Sequence, residues 1–141
     1  MEHMTREQCI QFLLEKPRPA VAAVLRADGR PHATPVWIDV DGDQIIFTTW
    51  HEGLKAKALR RDPRICLCVD DDNPPFAFVT IDGVATISED LDDLKAWAGR
   101  IAGRYMGHER ADEYAERNGV VGELLVRVAI RNITGTKDLA A

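Results

Sequence analysis

The sequence alternates strand-length apolar runs with short turns, and this pattern restricts the fold more than any other feature. Two of the turns contain an Asp-Gly pair, Asp28-Gly29 and Asp41-Gly42. An Asp-Gly pair between extended runs is typical of a β-hairpin, because glycine adopts the positive φ that a tight turn requires. The runs that these pairs separate end at residues 25, 40 and 50. The first half of the chain is therefore predicted to be a three-stranded meander. Its strands are predicted at 20–25, along a run through 36–40, and at 44–50.

The second half adds three strands and most of the helical sequence. Strands are predicted at 64–69, 76–87 and 123–134, where apolar and polar residues alternate as in a half-buried antiparallel sheet. Helices are predicted at 5–14 behind a Thr5 cap, at 54–61, from Leu91 to Tyr105, and over 112–117. Six strands with two to four helices predict one mainly β domain over 1–141, an antiparallel barrel with flanking helices. The edges of such a small barrel favour a homodimer.

Composition restricts the function. The longest apolar runs of the 141-residue chain are strand-length, so we expect a soluble, cytoplasmic protein with no membrane partner. A net charge of −5 opposes binding to nucleic acid. Cys9, Cys66 and Cys68 lack zinc-site spacing, and the sequence has four scattered histidines, so no metal site is predicted. Motifs for nucleophilic hydrolysis, nucleotide hydrolysis or Rossmann binding of NAD are also absent.

The helix at 54–61 carries the strongest candidate for a binding site. At helical spacing, Lys55 falls on the side of Leu54, Ala58 and Leu59, which we expect to face inward, while Lys57, Arg60 and Arg61 share the opposite flank. Lysine in the first turn is disfavoured by the helix dipole, but an anion bound there would use both the free N–H groups and the ammonium groups of Lys55 and Lys57. Spacing alone leaves a solvated basic face equally open. The hydroxyls of Thr48 and Thr49, just before this helix, favour a phosphate site.

Several segments together resemble the pyridoxamine-phosphate-oxidase-like split β-barrel family, also called the FMN-binding split barrel. The basic helix with its continuation, Lys55-Ala56-Lys57-Ala58-Leu59-Arg60-Arg61-Asp62-Pro63-Arg64, is the most specific of them. The others are Pro35-Val36-Trp37, Phe47-Thr48-Thr49, Asp72-Asn73-Pro74-Pro75, Gly83, Val128-Ala129-Ile130-Arg131 and Ile133-Thr134-Gly135. More narrowly, the chain is similar to small reductases that use the deazaflavin coenzyme F420.

This resemblance implies a homodimer with two cofactor sites at its interface. It implies that Lys55 and Lys57 hold the cofactor phosphate, with Arg60 or Arg61 near the acidic tail. Pro35, Val36 and Trp37 would lie along the ring system, Thr48, Thr49 and Trp50 along the ribityl chain, and the partner chain would contribute Pro75 and Phe76. Relatives that use FMN or pyridoxal phosphate place an Arg and a Lys in the second strand, where this chain has Val36, Trp37 and Ile38. That departure favours F420 over FMN.

The function expected from the resemblance is F420-dependent reduction of an unsaturated organic small molecule of enone, quinone or tetrapyrrole type. The cofactor would carry the hydride chemistry, and the protein would position the ring and exclude water. Candidate proton donors are His51 and Tyr105. Two alternatives remain open: an FMN-binding flavoprotein of the same family, and a non-catalytic module that binds a cofactor or tetrapyrrole.

Overall fold

The computed structural model describes residues 1–141. None of its helices is long and apolar enough to cross a membrane. In chain order the elements are β1 Glu2–His3, α1 Arg6–Glu15, β2 Ala20–Leu25, β3 Pro31–Val36, β4 Asp39–Asp41, β5 Gln44–Trp50, α2 Leu54–Arg61, β6 Arg64–Asp71, β7 Ala77–Ser88, α3 Leu91–Met106, a 3₁₀ turn His108–Arg110, α4 Ala111–Asn118 and β8 Glu123–Lys137.

The strands form one antiparallel sheet whose two ends are consecutive in sequence. Its order is β3-β2-β6-β7-β8-β5-β4, and β1 pairs with the end of β8. β3 and β4 follow one another along the chain but are not hydrogen-bonded to each other, so the curved sheet stays open between them. This is a mainly antiparallel, split β-barrel with flanking helices, and the predicted fold class is confirmed.

The strand count and the predicted meander are wrong. The predicted second strand is divided at Trp37 and Ile38 into β3 and β4, which lie on opposite edges of the sheet, and the short β1 was not predicted, so eight strands replace six. The first half therefore forms two separate hairpins, β2–β3 and β4–β5. An edge position suits Pro35, which has no N–H to donate to a second neighbouring strand.

The barrel interior holds a core of 19 buried residues, and α1 closes one end of it. Alternate residues of β2, namely Ala20, Ala22 and Val24, point inward, as the period of two requires. Helix α1 begins with the predicted Thr5 cap: the Gln8 N–H donates to Thr5 Oγ1 at 3.1 Å, and the Thr5 N–H donates to Gln8 Oε1 at 2.9 Å. This capping box satisfies two free N–H groups of the first turn.

Helix α3 packs outside the barrel and bridges its opening. Leu94, Trp97 and Ile101 pack on Ile46 of β5 and Leu125 of β8 in a second buried cluster. At the carboxyl end of the helix, Tyr105 Oη accepts a hydrogen bond from the Ile38 N–H at 3.1 Å and donates to the Arg18 carbonyl at 2.7 Å. One hydroxyl therefore joins the β3–β4 connection to the segment before β2.

Candidate functional site

A cavity of about 710 Å³ lies between β3, β5, α2 and α3. The structure brings seven of the residues predicted for cofactor binding to its wall: Pro35, Val36, Trp37, Thr48, Thr49, Trp50 and Lys55. Pro19, His32, Gly53, Leu54, Ala98, Ile101, Ala102, Asn118 and Glu123 complete the lining. The small side chains of Ala98 and Ala102 leave room beside α3.

Lys55 is the cation of this cavity. Its Nζ donates to Thr34 Oγ1 at 2.8 Å, and the side chain forms no ion pair with any carboxylate. Partial burial lowers the pKa of Lys55, while the negative charge of Glu123 acts in the opposite direction. Gly53 caps α2 without a side-chain hydrogen bond, so N–H groups of the first turn also remain available there. A half-buried ammonium group beside a helix start is suited to an anion.

Glu123 is the site residue that sequence analysis missed. It begins β8 directly opposite Trp50 of β5 and lines the same cavity as Lys55. Burial raises the pKa of the Glu123 carboxyl, and the nearby Thr48 hydroxyl and the Lys55 charge lower it to a smaller extent. Its position follows from the β5–β8 register, which sequence alone does not determine.

The other basic residues of α2 lie outside this cavity. Lys57 and Arg61 line a neighbouring groove of about 530 Å³, together with Arg26 and Arg30, while Arg60 pairs with Glu89 at 3.2 Å. The structure therefore does not bring Lys55 and Lys57 to one cavity. The expectation that Leu54 faces inward is also wrong: the side chain is 37% exposed at the shared border of cavity and groove, and Ala56 is buried instead.

The groove carries positive charge that is only partly neutralised. Two carboxylates, Asp28 and Glu52, line it as well, and Asp28 pairs with Arg30 at 2.8 Å. Arg26 Nη2 lies 3.3 Å from His32 Nδ1, and Arg26 Nε is buried without a hydrogen-bond partner. Arg61 donates to the Leu25 carbonyl at 3.1 Å, which leaves its charge without a carboxylate. His32 lines the cavity and contacts Arg26 of the groove, so the basic groove continues from the cavity at this point.

Trp37 forms a flat, fixed part of the cavity wall. Its ring stacks on Tyr105 with centroids 5.0 Å apart and 5° between the planes, and it meets the edge of Tyr114 at 6.2 Å. The indole is 36% exposed, so it is not simply a core residue. A planar ligand can pack on such a surface.

Neither predicted proton donor presents a free proton to the cavity. The Tyr105 hydroxyl already donates to the Arg18 carbonyl, and burial raises its pKa. His51 does not line the cavity: its Nδ1 lies 2.9 Å from the Gly122 carbonyl, and its Nε2 lies 3.4 Å from Glu52. Both side chains are engaged elsewhere.

Pro75 and Phe76 lie in the β6–β7 turn and do not line the cavity of their own chain. The Leu139 N–H donates to the Phe76 carbonyl at 3.2 Å, and the Ala140 N–H donates to the Pro75 carbonyl at 2.9 Å. A contribution of these residues to a partner's cavity stays a prediction. No group of three or more His, Cys, Asp or Glu side chains is arranged to hold a metal ion.

A profile of the pyridoxamine 5'-phosphate oxidase family matches residues 6–137, which is nearly the whole chain. The chain belongs to this family. The match confirms the family resemblance found in the sequence. No curated protein matches the chain.

Solved structures agree with membership of this family. The conserved hypothetical protein Rv2991 from Mycobacterium tuberculosis superposes with a TM-score of 0.82 at 26% identity, over 96% of this chain and 86% of that one. An F420 reductase gives a TM-score of 0.69 at 24% identity, over 87% of this chain and 94% of that one. A FAD-binding protein from Mesorhizobium loti gives a TM-score of 0.72 at 18% identity, over 95% of this chain and 93% of that one. At these lower identities the last two show that the fold is shared.

Proposed function

We propose that the protein binds coenzyme F420 in the cavity at Lys55 and uses it to reduce an unsaturated organic small molecule. The observation that carries the proposal is a half-buried lysine without a carboxylate partner, at the start of a helix, in a cavity with an aromatic wall. The residues present fit a phosphorylated ring cofactor. When bound, the reduced deazaflavin supplies a hydride.

The phosphate end of the cofactor would lie at Lys55. The ammonium group and the free N–H groups of α2 are donors, and the hydroxyls of Thr34, Thr48 and Thr49 lie on the adjoining strands. Charge-assisted hydrogen bonds of this kind are about twice as strong as neutral ones.

The ring end would lie along β3. Trp37, fixed by its stack on Tyr105, offers an apolar plane, and Pro35 and Val36 extend it. These side chains bind and orient the ring and exclude water from one of its faces. A reduced substrate needs a proton as well as the hydride, and solvent at the cavity mouth can supply it.

The basic groove supports F420 in preference to FMN. FMN ends at its phosphate, whereas F420 continues beyond the phosphate into an acidic tail. Arg26, Lys57 and Arg61 line the groove that continues from the cavity past His32 and Leu54. Asp28 is paired with Arg30, which leaves Glu52 as the one carboxylate opposing these three cations, so a tail leaving Lys55 meets net positive charge.

We also propose that the protein works as a homodimer in which Pro75 and Phe76 reach the partner's site. The outward faces of β2, β3, β6 and β7 form a shallow depression of about 440 Å³, lined by Ala23, Leu25, Cys66 and Val84 among others. Val21 of β2 is 44% exposed. Sedimentation velocity should give a dimer, and a strictly monomeric protein would contradict this part of the proposal.

Cofactor titration tests the central claim. The purified protein should bind F420 more tightly than FMN, as measured by fluorescence quenching of each cofactor. Tight FMN binding without F420 binding would establish the flavoprotein alternative. Oxidation of reduced F420 by a panel of enones, quinones and tetrapyrroles then separates an enzyme from a binding module, which would give no turnover with any of them.

A further inference from the structure

Glu123 places a carboxyl group in the cavity that we assign to an anionic ligand. It is half-buried, faces the space next to Lys55 and forms no ion pair with that lysine. The residue lies at the wall between this cavity and a smaller one on the side of His51 and Arg60. A carboxylate in such a position opposes any negatively charged ligand.

The charged groups around Glu123 can be identified element by element. From α2 it faces Lys55, and on the other side of the wall lie Arg60, Glu89 and His51. Arg60 and Glu89 pair with each other at 3.2 Å, and His51 Nδ1 is bound to the Gly122 carbonyl. The neighbours from β5 and α4, Thr48, Trp50 and Asn118, are uncharged. From β3 the titratable His32 lines the same cavity, and its Nδ1 lies 3.3 Å from Arg26 Nη2. Lys55 is therefore the cation to which the Glu123 charge is coupled.

A phosphate and an ionised Glu123 would compete for the same ammonium group. Lys55 donates one of its three N–H groups to Thr34, so two remain for both negative groups together. Two negative groups around one partly desolvated cation repel each other, and the one with the higher proton affinity is neutralised. Burial has already raised the pKa of the Glu123 carboxyl, whereas a phosphate ester, the diester of F420 as well as the monoester of FMN, keeps at least one negative charge at neutral pH.

We propose that Glu123 takes up one proton from solvent when a phosphate-bearing ligand binds at Lys55. The inference rests on the proposed cofactor site. In the free protein the negative charge of the Glu123 carboxylate acts on Lys55 without a direct ion pair. In the complex the phosphate replaces it, and the neutral carboxyl stays as a proton-bearing group in the cavity, where Tyr105 and His51 present none.

Calorimetric titration with F420, and separately with FMN, tests the proposal. In buffers of different ionisation enthalpy the wild-type protein should take up about one proton per ligand, and its affinity should fall by up to about tenfold per pH unit above the carboxyl's pKa. Glu123→Gln should abolish both the proton uptake and this fall in affinity. Glu116→Gln, which removes an exposed carboxylate of α4, is the matched control and should behave as wild type. Riboflavin, which lacks the phosphate, should show no proton uptake.

The outcomes separate this inference from the proposed function. Cofactor binding without proton uptake, or with uptake that persists in Glu123→Gln, would overturn the inference and leave the cofactor site standing. If neither F420 nor FMN binds, the proposed function fails, and the carbon-13 NMR titration of the Glu123 carboxyl decides the inference. A rise in its pKa on adding inorganic phosphate supports the linkage, and an unchanged pKa refutes it.

Discussion

Trp37 lies parallel to Tyr105, with ring centroids 5.0 Å apart and 5° between the ring planes. The pair joins the cavity wall to the opening of the barrel, because the Tyr105 hydroxyl also binds the Ile38 N–H and the Arg18 carbonyl. The surface proposed to hold the cofactor ring is therefore fixed by the same residue that joins the β3–β4 connection to the segment before β2.

Removing the Tyr105 hydroxyl should destabilise the fold and leave the aromatic stack in place. We expect Tyr105→Phe to lower the free energy of unfolding by about 1–3 kcal/mol, since two partly buried backbone groups lose their partner. Urea denaturation measures this change. If stability is unchanged, the two hydrogen bonds of the hydroxyl do not stabilise the junction between the β3–β4 connection and the segment before β2.

The alternation of the sequence predicts the fold class because each strand carries its own signal. Inward residues such as Ala22, Val79 and Ile81 follow the period of two and lie in the core. Thr5 and Gln8 mark the start of α1 by local hydrogen bonding alone. Features of this kind need no knowledge of distant parts of the chain.

The features that sequence analysis missed depend on contacts between distant segments. The division of one predicted strand at Trp37 follows from the barrel opening, where the chain crosses from one edge of the sheet to the other. Glu123 joins the site only through its register with Trp50. Lys57 follows Lys55 closely in sequence, yet it lines a different groove.

Single substitutions should separate the roles of Lys55 and Lys57. Lys55→Ala is expected to weaken F420 binding at least tenfold, about 1.4 kcal/mol, because the charge lies inside the cavity. Lys57→Ala should have a smaller effect, since the side chain is exposed in the groove. Fluorescence titration measures both affinities. Equal losses would show that the two lysines act on one phosphate.

The effect of Lys57→Ala should also depend on the ligand. Binding of F420, whose tail would enter the groove, should be weakened, whereas binding of FMN should hardly change. The same titrations with FMN provide this comparison. An equal loss with both ligands would remove the groove from the cofactor site.

Gly83 permits the close approach of β7 and β8. The pairing shifts register between Asp82 and Gly83, and a Cβ built on Gly83 would lie 2.4 Å from Val128 Cγ1 and 2.7 Å from the Ala129 carbonyl oxygen. Gly83→Ala should therefore destabilise the protein by about 1–3 kcal/mol through overpacking.

The control for Gly83→Ala is Gly29→Asn. Gly29 has open space around it and a φ of +86°, in the left-handed region that asparagine tolerates better than most residues. Thermal unfolding should show a clear loss for Gly83→Ala and a small change for Gly29→Asn. Similar losses would mean that β7 and β8 adapt to the added methyl group.

The Asp62–Arg64 pair should make stability depend on acidic pH. Hydrogen bonds from the Arg64 side chain and N–H hold the pKa of Asp62 at about 2, against an ordinary value of 3.8. Because the folded pKa is the lower one, the stabilisation is present above 3.8 and is lost as the pH falls through about 2. Asp62→Asn should therefore lose less stability than wild type between about pH 4 and about pH 2, as measured by urea denaturation at each pH. Parallel losses in the two proteins would contradict this prediction, because they would show that the pKa of Asp62 is the same in the folded and the unfolded chain.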